Sequence, residues 1–502
     1  MSVTEQQVPP EKVIASTRKT VFGSGFDEVI HDIEEGIRGL YLEDDTPWVI
    51  GYSGGKDSST CLQLVWNALA KLDKDQLKKP VYVISTDTMV ENPVVSLWVT
   101  ESLAKISKAA QEQGLPIEAK QLHPTVEDSF WVNLIGKGYP APRPRFRWCT
   151  ERLKIRPSNK FILDVVHNSG EVILVLGTRS AESSVRAANI KKFKSMSTRE
   201  GLSVHDTLTR AWVLAPIADW SNDDVWQYLM QERNPWGHDN KNLLSMYQGA
   251  TADGECPLVV DTSTPSCGDS RFGCYVCTLV EKDKSMEAMI QNDQDKDWLL
   301  PLSEFRNRFL EIKDGDKKWD DKHVREFQRM DGSVMAFQGR LIHGPYTQDY
   351  RATLLRELLK VHKEVLESQE GDEFVFNVIS EAEVQEIRRI WLVEKKEIED
   401  VAAQLYMEVL GIELPPLEEG SSRFFTPAEI ELLRGICEET YPEDQNLLSL
   451  LRKILSLEEE AEVKRRRSGL IKDLEDLVKK NAFATSDDAL EYVNKRSEAA
   501  PR

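Results

Sequence analysis

The chain has 502 residues, of which 40% are hydrophobic and 29% are charged, so it is long enough for two or three domains with ordinary cores. Its net charge of −20 argues against a protein that wraps nucleic acid over its whole surface, and any nucleic acid would have to meet a local basic patch. No apolar run approaches the roughly 18 residues of a membrane span, and the N-terminal segment lacks the apolar core of a signal peptide. We therefore expect a cytoplasmic protein with no membrane contact.

Four regions follow one another along the chain. Residues 1–44 predict a lead segment and a helix over 26–42. Over 45–249, short apolar runs alternate with helical patterns, which predicts α/β architecture: a parallel sheet with helices on both faces. The predicted strands are 49–52, 81–85, 117–121 and 172–177, and the clearest helices are 58–72 and 93–113. A cysteine-rich segment spans 250–282, and 283–502 predicts a mostly α-helical C-terminal region.

A glycine-rich loop between the first predicted strand and the helix after it is the most specific feature of the chain. Glycines let backbone N–H groups approach a phosphate, the start of the next helix favours negative charge, and a lysine adds a cation. The spacing differs from G-x-x-x-x-G-K-S/T, so transfer of a γ-phosphoryl group is not indicated. The residues predicted to bind a nucleotide here are Ser53, Gly54, Gly55, Lys56, Asp57 and Ser58.

Two other strand ends carry polar residues. Asp87 follows the second strand and is a candidate to hold a ribose hydroxyl or Mg²⁺, although an aspartate that caps a turn is an equal alternative. Gly177 and Arg179 follow the fourth strand, and Arg179 is a candidate phosphate clamp unless it forms a structural ion pair. Because the C-terminal ends of parallel strands meet at one edge of a sheet, we expect these residues to lie beside the loop at 53–58.

The stretch 143–157 is the most basic in the chain, and aromatic residues interleave with its charges. This composition suits a phosphodiester or a nucleotide, whereas a charge run alone is more often a solvated face. Within it, Cys149 is a candidate catalytic thiolate, because basic neighbours are expected to lower its pKa. The candidate nucleic-acid contacts are Arg143, Arg145, Arg147, Arg152 and Lys154.

Four of the seven cysteines fall within 22 residues with the spacing C-x10-C-x6-C-x2-C, which predicts a metal site. Zinc and an iron–sulfur cluster both accept four thiolates. The presence of one C-x-x-C pair rather than two favours iron–sulfur over zinc. Cys149 is a fifth candidate, and Cys61 and Cys437 are interpreted as buried apolar residues. The predicted ligands are Cys256, Cys267, Cys274 and Cys277.

The C-terminal region carries amphipathic stretches at 353–369, 381–410 and 427–436. A basic run at 464–467 is interpreted as a surface helix face rather than a nucleic-acid contact.

The motifs SGGKDS, STDT, RWCTERLKIRP and LGTRSAESSVR occur in this order, and PIADWSNDDVW follows them. Together they resemble the phosphoadenosine phosphosulfate (PAPS) reductase branch of the PP-loop ATP pyrophosphatases over about residues 45–280. The resemblance implies an adenine nucleotide α-hydrolase-like fold and a reaction at the α-phosphate of ATP in which pyrophosphate leaves. The chain departs from the reductases because no cysteine follows Cys437, where those enzymes carry a catalytic C-terminal cysteine.

The cysteine block over 262–286 is similar to that of the DndC family of DNA sulfur-modification proteins. That resemblance implies a [4Fe–4S] cluster, a cysteine desulfurase as sulfur donor, and partners that include an SMC-like ATPase. The product would be DNA in which sulfur replaces a non-bridging phosphate oxygen, made with ATP and Mg²⁺. The residues expected to carry the reaction are Lys56, Asp57, Arg179 and Cys149.

Two other classes of function remain open. PP-loop enzymes also transfer sulfur to tRNA bases or act on sulfonucleotides, although no additional RNA-binding module is evident. A non-catalytic scaffold in a DNA-modification complex is the third hypothesis, and the intact loop at 53–58 argues against it.

Overall fold

The structure is a computed structural model that describes residues 20–144, 146–250, 272–311, 313–314, 317–318, 321–369, 375–397, 399–417, 427–444, 446–463, 469–481 and 483–499. The predictions for Arg145, Cys256, Cys267 and the basic run at 464–467 concern residues outside these ranges. In the described ranges, a six-stranded sheet with flanking helices is followed by a mostly helical part.

The sheet has the strand order β3-β2-β1-β4-β6-β5. Its first four strands and β6 are parallel, and β5 is antiparallel to β6 at one edge. The order reverses between β1 and β4, which makes a topological switch point where loops diverge and leave a crevice. The strands are β1 (Trp48–Gly51), β2 (Val81–Thr86), β3 (Ile117–Leu122), β4 (Val172–Val175), β5 (Ser203–Val204) and β6 (Ala211–Leu214).

Helices cover both faces of this sheet, as the sequence predicts. Alternation along β1 sends Trp48 and Ile50 into the larger core, whereas Val49 packs into a smaller core with Ile162 on the opposite face. The helices of this part are α1 (Phe26–Glu43), α2 (Lys56–Ala70), α3 (Pro93–Gln113), α4 (Arg156–Ser169), α5 (Ser184–Ser195), α6 (Asn222–Gln231) and α7 (Asn240–Gly249).

The part after residue 283 contains helices and two short hairpins. Its helices are α8 (Lys284–Asn292), α9 (Leu300–Phe305), α10 (Gln348–Ser368), α11 (Glu381–Arg389), α12 (Val401–Leu410), α13 (Pro427–Thr440), α14 (Leu447–Val463), α15 (Leu470–Asn481) and α16 (Ser486–Ala499). The hairpins are β7 (Lys313–Asp314) with β8 (Lys317–Lys318), and β9 (Ala336–Phe337) with β10 (Arg340–Leu341).

One amphipathic stretch in this part is divided between two helices. The amphipathic stretch at 381–410 is not continuous, because α11 passes into a π-helical turn (Ile390–Glu394) and α12 begins only at Val401. Between them, Lys396 and Asp400 have φ of 58° and 52°. A buried ion pair holds this reversal, with Arg388 Nη2 2.8 Å from Asp400 Oδ2.

The helical part shares its core with residues that precede it by more than a hundred positions. Trp131 donates to the carbonyl of Val378 at 2.7 Å, and Trp391 donates to the carbonyl of Ile135 at 3.1 Å. Trp148, within the basic stretch, is buried in the same core. The stretch 143–157 therefore lies at a junction between the sheet and the C-terminal helices.

None of the helices within the described ranges combines the length and the apolarity needed to cross a bilayer.

Candidate nucleotide site and the adjacent cysteine turn

The loop at 53–58 leaves β1 and enters α2 at the switch point. Ser58 closes it, because its Oγ accepts the N–H of Ser53 at 3.2 Å and donates to the carbonyl of Gly55 at 3.0 Å. Gly54 has φ +71°, and an added Cβ would lie 2.6 Å from Val99 Cγ2. Trp98 Nε1 donates to the Gly54 carbonyl at 3.1 Å. Position 54 therefore requires a glycine, both because φ is positive and because a side chain would clash with α3. The same helix supports the loop.

Two cations converge on one carboxylate at the start of α2. Lys56 Nζ lies 3.1 Å from Asp57 Oδ2 and 5.6 Å from the centre of the Tyr247 ring. Arg179 Nε lies 2.7 Å from Asp57 Oδ1, and Arg179 is 4% exposed. Asp57 therefore orients both predicted phosphate ligands. The ion pair between Arg179 and Asp57 is the structural alternative that the sequence left open for Arg179.

The loop after β4 presses against the first turn of α2. A Cβ added to Gly177 would lie 2.9 Å from the backbone carbon and oxygen of Asp57. Only a residue without a side chain permits this approach, which brings Arg179 to Asp57. The backbone N–H of Arg179 donates to Glu182 Oε1 at 3.2 Å and fixes the following turn.

These loops line a cleft with a volume of about 1140 Å³, which is ample for a nucleotide. The cleft extends past the 53–57 loop in two directions, toward the start of α5 and toward the segment that carries the cysteines. Its polar and loop-derived lining includes Ser85, Thr86, Glu91, Lys154, Ser158, Arg179, Glu182, Ser183, Arg186, Tyr247 and Gly273.

Asp87 lies at the end of β2 but its carboxylate is engaged locally. It accepts the N–H of Met89 at 2.8 Å and the hydroxyl of Ser96 at 3.3 Å. This is the turn-capping arrangement that the sequence left open, and Thr86 and Glu91 line the cleft on this side. A role for Asp87 toward Mg²⁺ or ribose stays a prediction.

Most basic residues of 143–157 have partners inside the protein. Arg143 Nη2 lies 2.6 Å from Asp321 Oδ2, and Arg152 donates to the Tyr139 hydroxyl at 2.8 Å and to Asn133. These two are structural contacts between chain segments. Arg147 is exposed. Arg143 and Arg152 therefore offer little unpaired positive charge for the predicted contact with nucleic acid.

The C-x-x-C pair forms a turn beside the loop that follows β2. Cys274 pairs with Glu91 in an isolated antiparallel bridge, flanked by bonds from Asn92 N–H to the Gly273 carbonyl and from Tyr275 N–H to the Val90 carbonyl, both 3.1 Å. The N–H of Cys277 donates to the Cys274 carbonyl at 3.0 Å. This pairing brings Cys274 next to Glu91, at the edge of the cleft.

A buried arginine from the helical part holds the far side of this cysteine turn. Arg306 is 1% exposed, and its Nε and Nη2 donate to the Cys277 carbonyl at 3.0 and 2.9 Å. It also donates to the carbonyls of Val280 at 2.5 Å and Glu281 at 3.1 Å. Sequence reasoning missed Arg306, since an arginine in a charged helical region carries no motif.

Burial raises the pKa of two thiols at the site. It raises the pKa of Cys274 to about 12 and also raises the pKa of Cys149, with a smaller contribution from the charge of Cys277. The expectation that the basic stretch lowers the pKa of Cys149 is therefore wrong. Arg143 and Arg152 of this stretch are committed elsewhere, as described above.

Lys154 connects the thiols to the cleft. Its Nζ lies 3.1 Å from Glu91 Oε1. Burial lowers the pKa of Lys154, but Glu91, Cys274 and Cys149 together raise it above its ordinary value. The ammonium group therefore stays charged between the nucleotide cleft and two cysteines.

The thiol chemistry of the turn suits a metal, but the described residues supply only part of a ligand set. Among them, no group of three or more His, Cys, Asp or Glu side chains is arranged to hold a metal ion. The other predicted ligands, Cys256 and Cys267, lie outside the described ranges. The four-cysteine ligand set stays a prediction. Cys61 and Cys437 are buried, as predicted.

Two further residues at the site were not predicted. Tyr247, on α7, places its hydroxyl 3.5 Å from the N–H of Lys56, and the Ser158 hydroxyl lies 2.8 Å from that of Thr86. Both come from helices in which no sequence motif marks a site, so only the fold identifies these residues.

Residues 47–238 match the family model of the phosphoadenosine phosphosulfate reductase domain. The sheet and its loops thus form a PAPS reductase-like PP-loop domain. An uncharacterized protein of Methanocaldococcus jannaschii is 25% identical over 245 residues, which cover 49% of this chain and 39% of that protein. The chain therefore spans well under half of this curated relative.

Two solved structures are weakly similar. The U34-tRNA thiolase NcsA from Methanococcus maripaludis, solved with its [4Fe–4S] cluster, is 13% identical, with a TM-score of 0.28 over 58% of this chain and 82% of that chain. The FMN adenylyltransferase of Candida glabrata, in complex with FMN and an ATP analog, is 12% identical, with a TM-score of 0.24 over 40% and 55%. Similarity at this level says nothing about substrate.

Proposed function

We propose that the protein is an ATP pyrophosphatase that adenylylates a DNA backbone phosphate, so that sulfur replaces one of its non-bridging oxygens. The observation that carries this proposal is the continuity of the cleft. It runs from the loop at 53–58 to Glu91, Lys154 and Gly273, where the cysteine turn begins. A nucleotide on the loop and a sulfur carrier near the turn would share one space.

In the first step, a non-bridging oxygen of the DNA phosphate attacks the α-phosphorus of ATP. The bond from that phosphorus to the oxygen that bridges to the β-phosphate breaks, and pyrophosphate leaves. Lys56 and Arg179 offset the negative charge that develops, and Asp57 sets their positions. Mg²⁺ bound with the nucleotide would neutralise further phosphate charge.

In the second step, a persulfide on Cys149 attacks the activated DNA phosphorus, and AMP leaves with the former DNA oxygen. Two thiol groups of an external dithiol then cleave the link between phosphorus-bound sulfur and Cys149, which yields the phosphorothioate, free Cys149 and an oxidised disulfide. The positive charge of Lys154 favours sulfur anions here, since Cys149 and Lys154 interact electrostatically.

The thiols of the cysteine turn could bind either zinc or a [4Fe–4S] cluster. The cluster suits a sulfur-transfer role better, because zinc is redox-inert. Cys274 and Cys277 would hold it together with Cys256 and Cys267, and when bound it would supply electron or sulfide chemistry at the end of the cleft. A cysteine desulfurase would supply sulfur to the carrier. An SMC-like ATPase and other proteins of the same modification complex would be the further partners.

The decisive experiment measures AMP, pyrophosphate and DNA phosphorothioate under anaerobic conditions with desulfurase, DNA and dithiol present. The comparison is between the unaltered protein, Lys56→Ala and Cys149→Ser. We expect Lys56→Ala to lose AMP formation by at least about 100-fold, as expected for loss of a charge-stabilising group. Cys149→Ser should keep pyrophosphate formation, because that step precedes the attack by sulfur, but should lose both AMP release and sulfur insertion.

The matched control is Lys108→Ala, which removes an exposed lysine from α3, outside the cleft. It should behave like the unaltered protein. Unchanged modification by Lys56→Ala would overturn catalysis and favour a scaffold. AMP formation stimulated by tRNA and not by DNA would overturn the DNA substrate.

A further inference from the structure

We propose that helix α5 is a DNA-binding element that leads a strand toward the cleft. The choice of DNA rests on the proposed function, whereas the phosphate chemistry rests on the helix itself. The element is Ser184–Ser195, with the sequence SVRAANIKKFKS.

The first observation is that α5 lies on the surface without a buried face. None of its 12 side chains is buried, and Val185 at its start is 67% exposed. It contacts the turn at Ser180–Glu182 and the edge strand β5. A helix in a globular protein usually gains its stability from a buried apolar stripe, so a helix without one indicates a surface role.

The second observation is the charge of α5. It carries Arg186, Lys191, Lys192 and Lys194 and no acidic residue, in a chain whose net charge is −20. Arg186 is paired with Glu182. Lys191, Lys192 and Lys194 form no ion pair with any residue that the structure describes. Unpaired cations concentrated on an otherwise acidic protein are complementary to a polyanion.

The third observation is position. Arg186 and the residues just before α5, Glu182 and Ser183, line the cleft that holds the phosphate-binding loop. From Arg186 to Lys194 the helix rises about 12 Å, which matches about three phosphates at about 3.4 Å per nucleotide of one strand. A strand bound along α5 would thus reach the cleft with a phosphate at its mouth.

The basic stretch at 143–157 is the rival surface, and it is less suited. Arg143 and Arg152 are held by Asp321 and by Tyr139 with Asn133, and Lys154 by Glu91. Binding a phosphate there would first require breaking these contacts. The lysines of α5 have no ion-pair partner to displace among the described residues, although Lys192 Nζ lies 5.3 Å from the centre of the Phe193 ring.

Lysines near the end of a helix also stabilise its negative pole, by about 0.3–1 kcal/mol each. That alternative predicts an effect on stability alone. The test therefore measures DNA binding, thermal stability and ATP affinity separately.

The experiment uses the full chain and a fluorescent DNA oligonucleotide without ATP, and records binding anisotropy over a range of salt concentrations. The variant is the triple substitution Lys191→Gln, Lys192→Gln and Lys194→Gln. We expect weaker binding and a slope of log affinity against log salt that is shallower by about 2 to 3, since each phosphate contact contributes about 0.7–0.9. The affinity for ATP, measured without DNA, should be unchanged.

The control removes the same charge elsewhere, by Lys472→Gln, Lys479→Gln and Lys495→Gln, which change three exposed lysines of α15 and α16. It should bind DNA as the unaltered protein does. Equal loss in both triple variants, or no loss in either, would overturn the assignment of α5. A loss of tRNA binding with DNA binding intact would overturn DNA as the ligand. If the unaltered protein forms neither pyrophosphate nor AMP from ATP and DNA but still binds DNA through α5, the proposed function is contradicted and this inference stands.

Discussion

Asp57 Oδ1 lies 2.7 Å from Arg179 Nε, and the other oxygen of the same carboxylate lies 3.1 Å from Lys56 Nζ. The two cations come from different loops of the switch point. Their shared partner sits on the first turn of α2, where its negative charge also complements the helix N-terminus. In the proposed function, a phosphate of the nucleotide would compete with Asp57 for both cations, and Asp57 would hold them in place before it binds.

Removing the charge of Asp57 should destabilise the protein. Asp57→Asn leaves the nearly buried Arg179 without its anion and next to Lys56, and we expect a loss of about 1–3 kcal/mol, reduced from the range for fully buried pairs because Asp57 is 24% exposed. Adding Arg179→Met should recover part of this loss without restoring ATP turnover. Urea unfolding of the four proteins of this cycle measures the coupling, and strictly additive effects would contradict it.

Gly177→Ala should disrupt the site through its backbone. The new Cβ would lie 2.9 Å from the Asp57 carbonyl group, so either α2 or the β4 loop must move. We expect a loss of AMP formation of at least tenfold, because displacement by a few tenths of an ångström separates Arg179 from Asp57. Gly36→Ala, on α1, has no atom within 4 Å of its added Cβ and should be neutral or slightly stabilising. Equal activity in the two variants would argue against a close approach at Gly177.

The sequence was sufficient for the sheet and for the loop at 53–58, because both depend on local signals. The pattern of β1 to β4 placed each of those strands within two residues, and the topology of parallel strands put Gly177 and Arg179 beside Lys56. The edge strand β5 has two residues and offers no pattern to detect.

The remaining features depend on contacts between residues that are far apart in the chain, and local sequence patterns do not predict such contacts. The bridge between Glu91 and Cys274 joins positions that are far apart in the chain, and Arg306 reaches the cysteine turn from a helix. The pKa of Cys149 was mispredicted for the same reason. The neighbouring charges are visible in the sequence, but burial and the commitment of Arg152 to Tyr139 are not.

His238 should make stability fall in mild acid. Burial, with a smaller effect of Lys105, lowers the pKa of His238 from 6.5 to about 4. Between these values the unfolded chain binds a proton that the folded protein excludes, so stability decreases as pH falls through that window and is unaffected by this group above it. The full effect is on the order of 3 kcal/mol.

The measurement is the free energy of unfolding at pH 7 and at pH 5. His238→Asn should reduce the difference between the two, because an amide retains a partner for Ser102 Oγ, now 3.2 Å from His238 Nδ1, but does not titrate. His31→Asn, which changes an exposed histidine on α1, is the control. The ring centres of Trp98 and His238 are 4.3 Å apart, and Trp98 also donates to the Gly54 carbonyl, so ATP affinity should weaken over the same interval. A pH profile that His238→Asn leaves unchanged would contradict this account.

Arg306→Met should loosen the cysteine turn without touching any thiol. The substitution keeps an apolar stem in the core but leaves the carbonyls of Cys277, Val280 and Glu281 without their donor. Val280 and Glu281 are exposed, so the main cost falls at the half-buried Cys277, where an unsatisfied carbonyl costs about 1–3 kcal/mol. We therefore expect a lower Tm and faster reaction of Cys274 and Cys277 with a thiol reagent, by about tenfold. The control is Arg308→Met, since Arg308 is exposed and lies over the Phe309 ring at 5.0 Å. If both variants label at the rate of the unaltered protein, Arg306 does not hold the turn. If the cysteines react faster only in the Arg306→Met variant and AMP formation persists, the cysteine turn and the nucleotide loop are stabilised independently. This is expected because the two contact different helices.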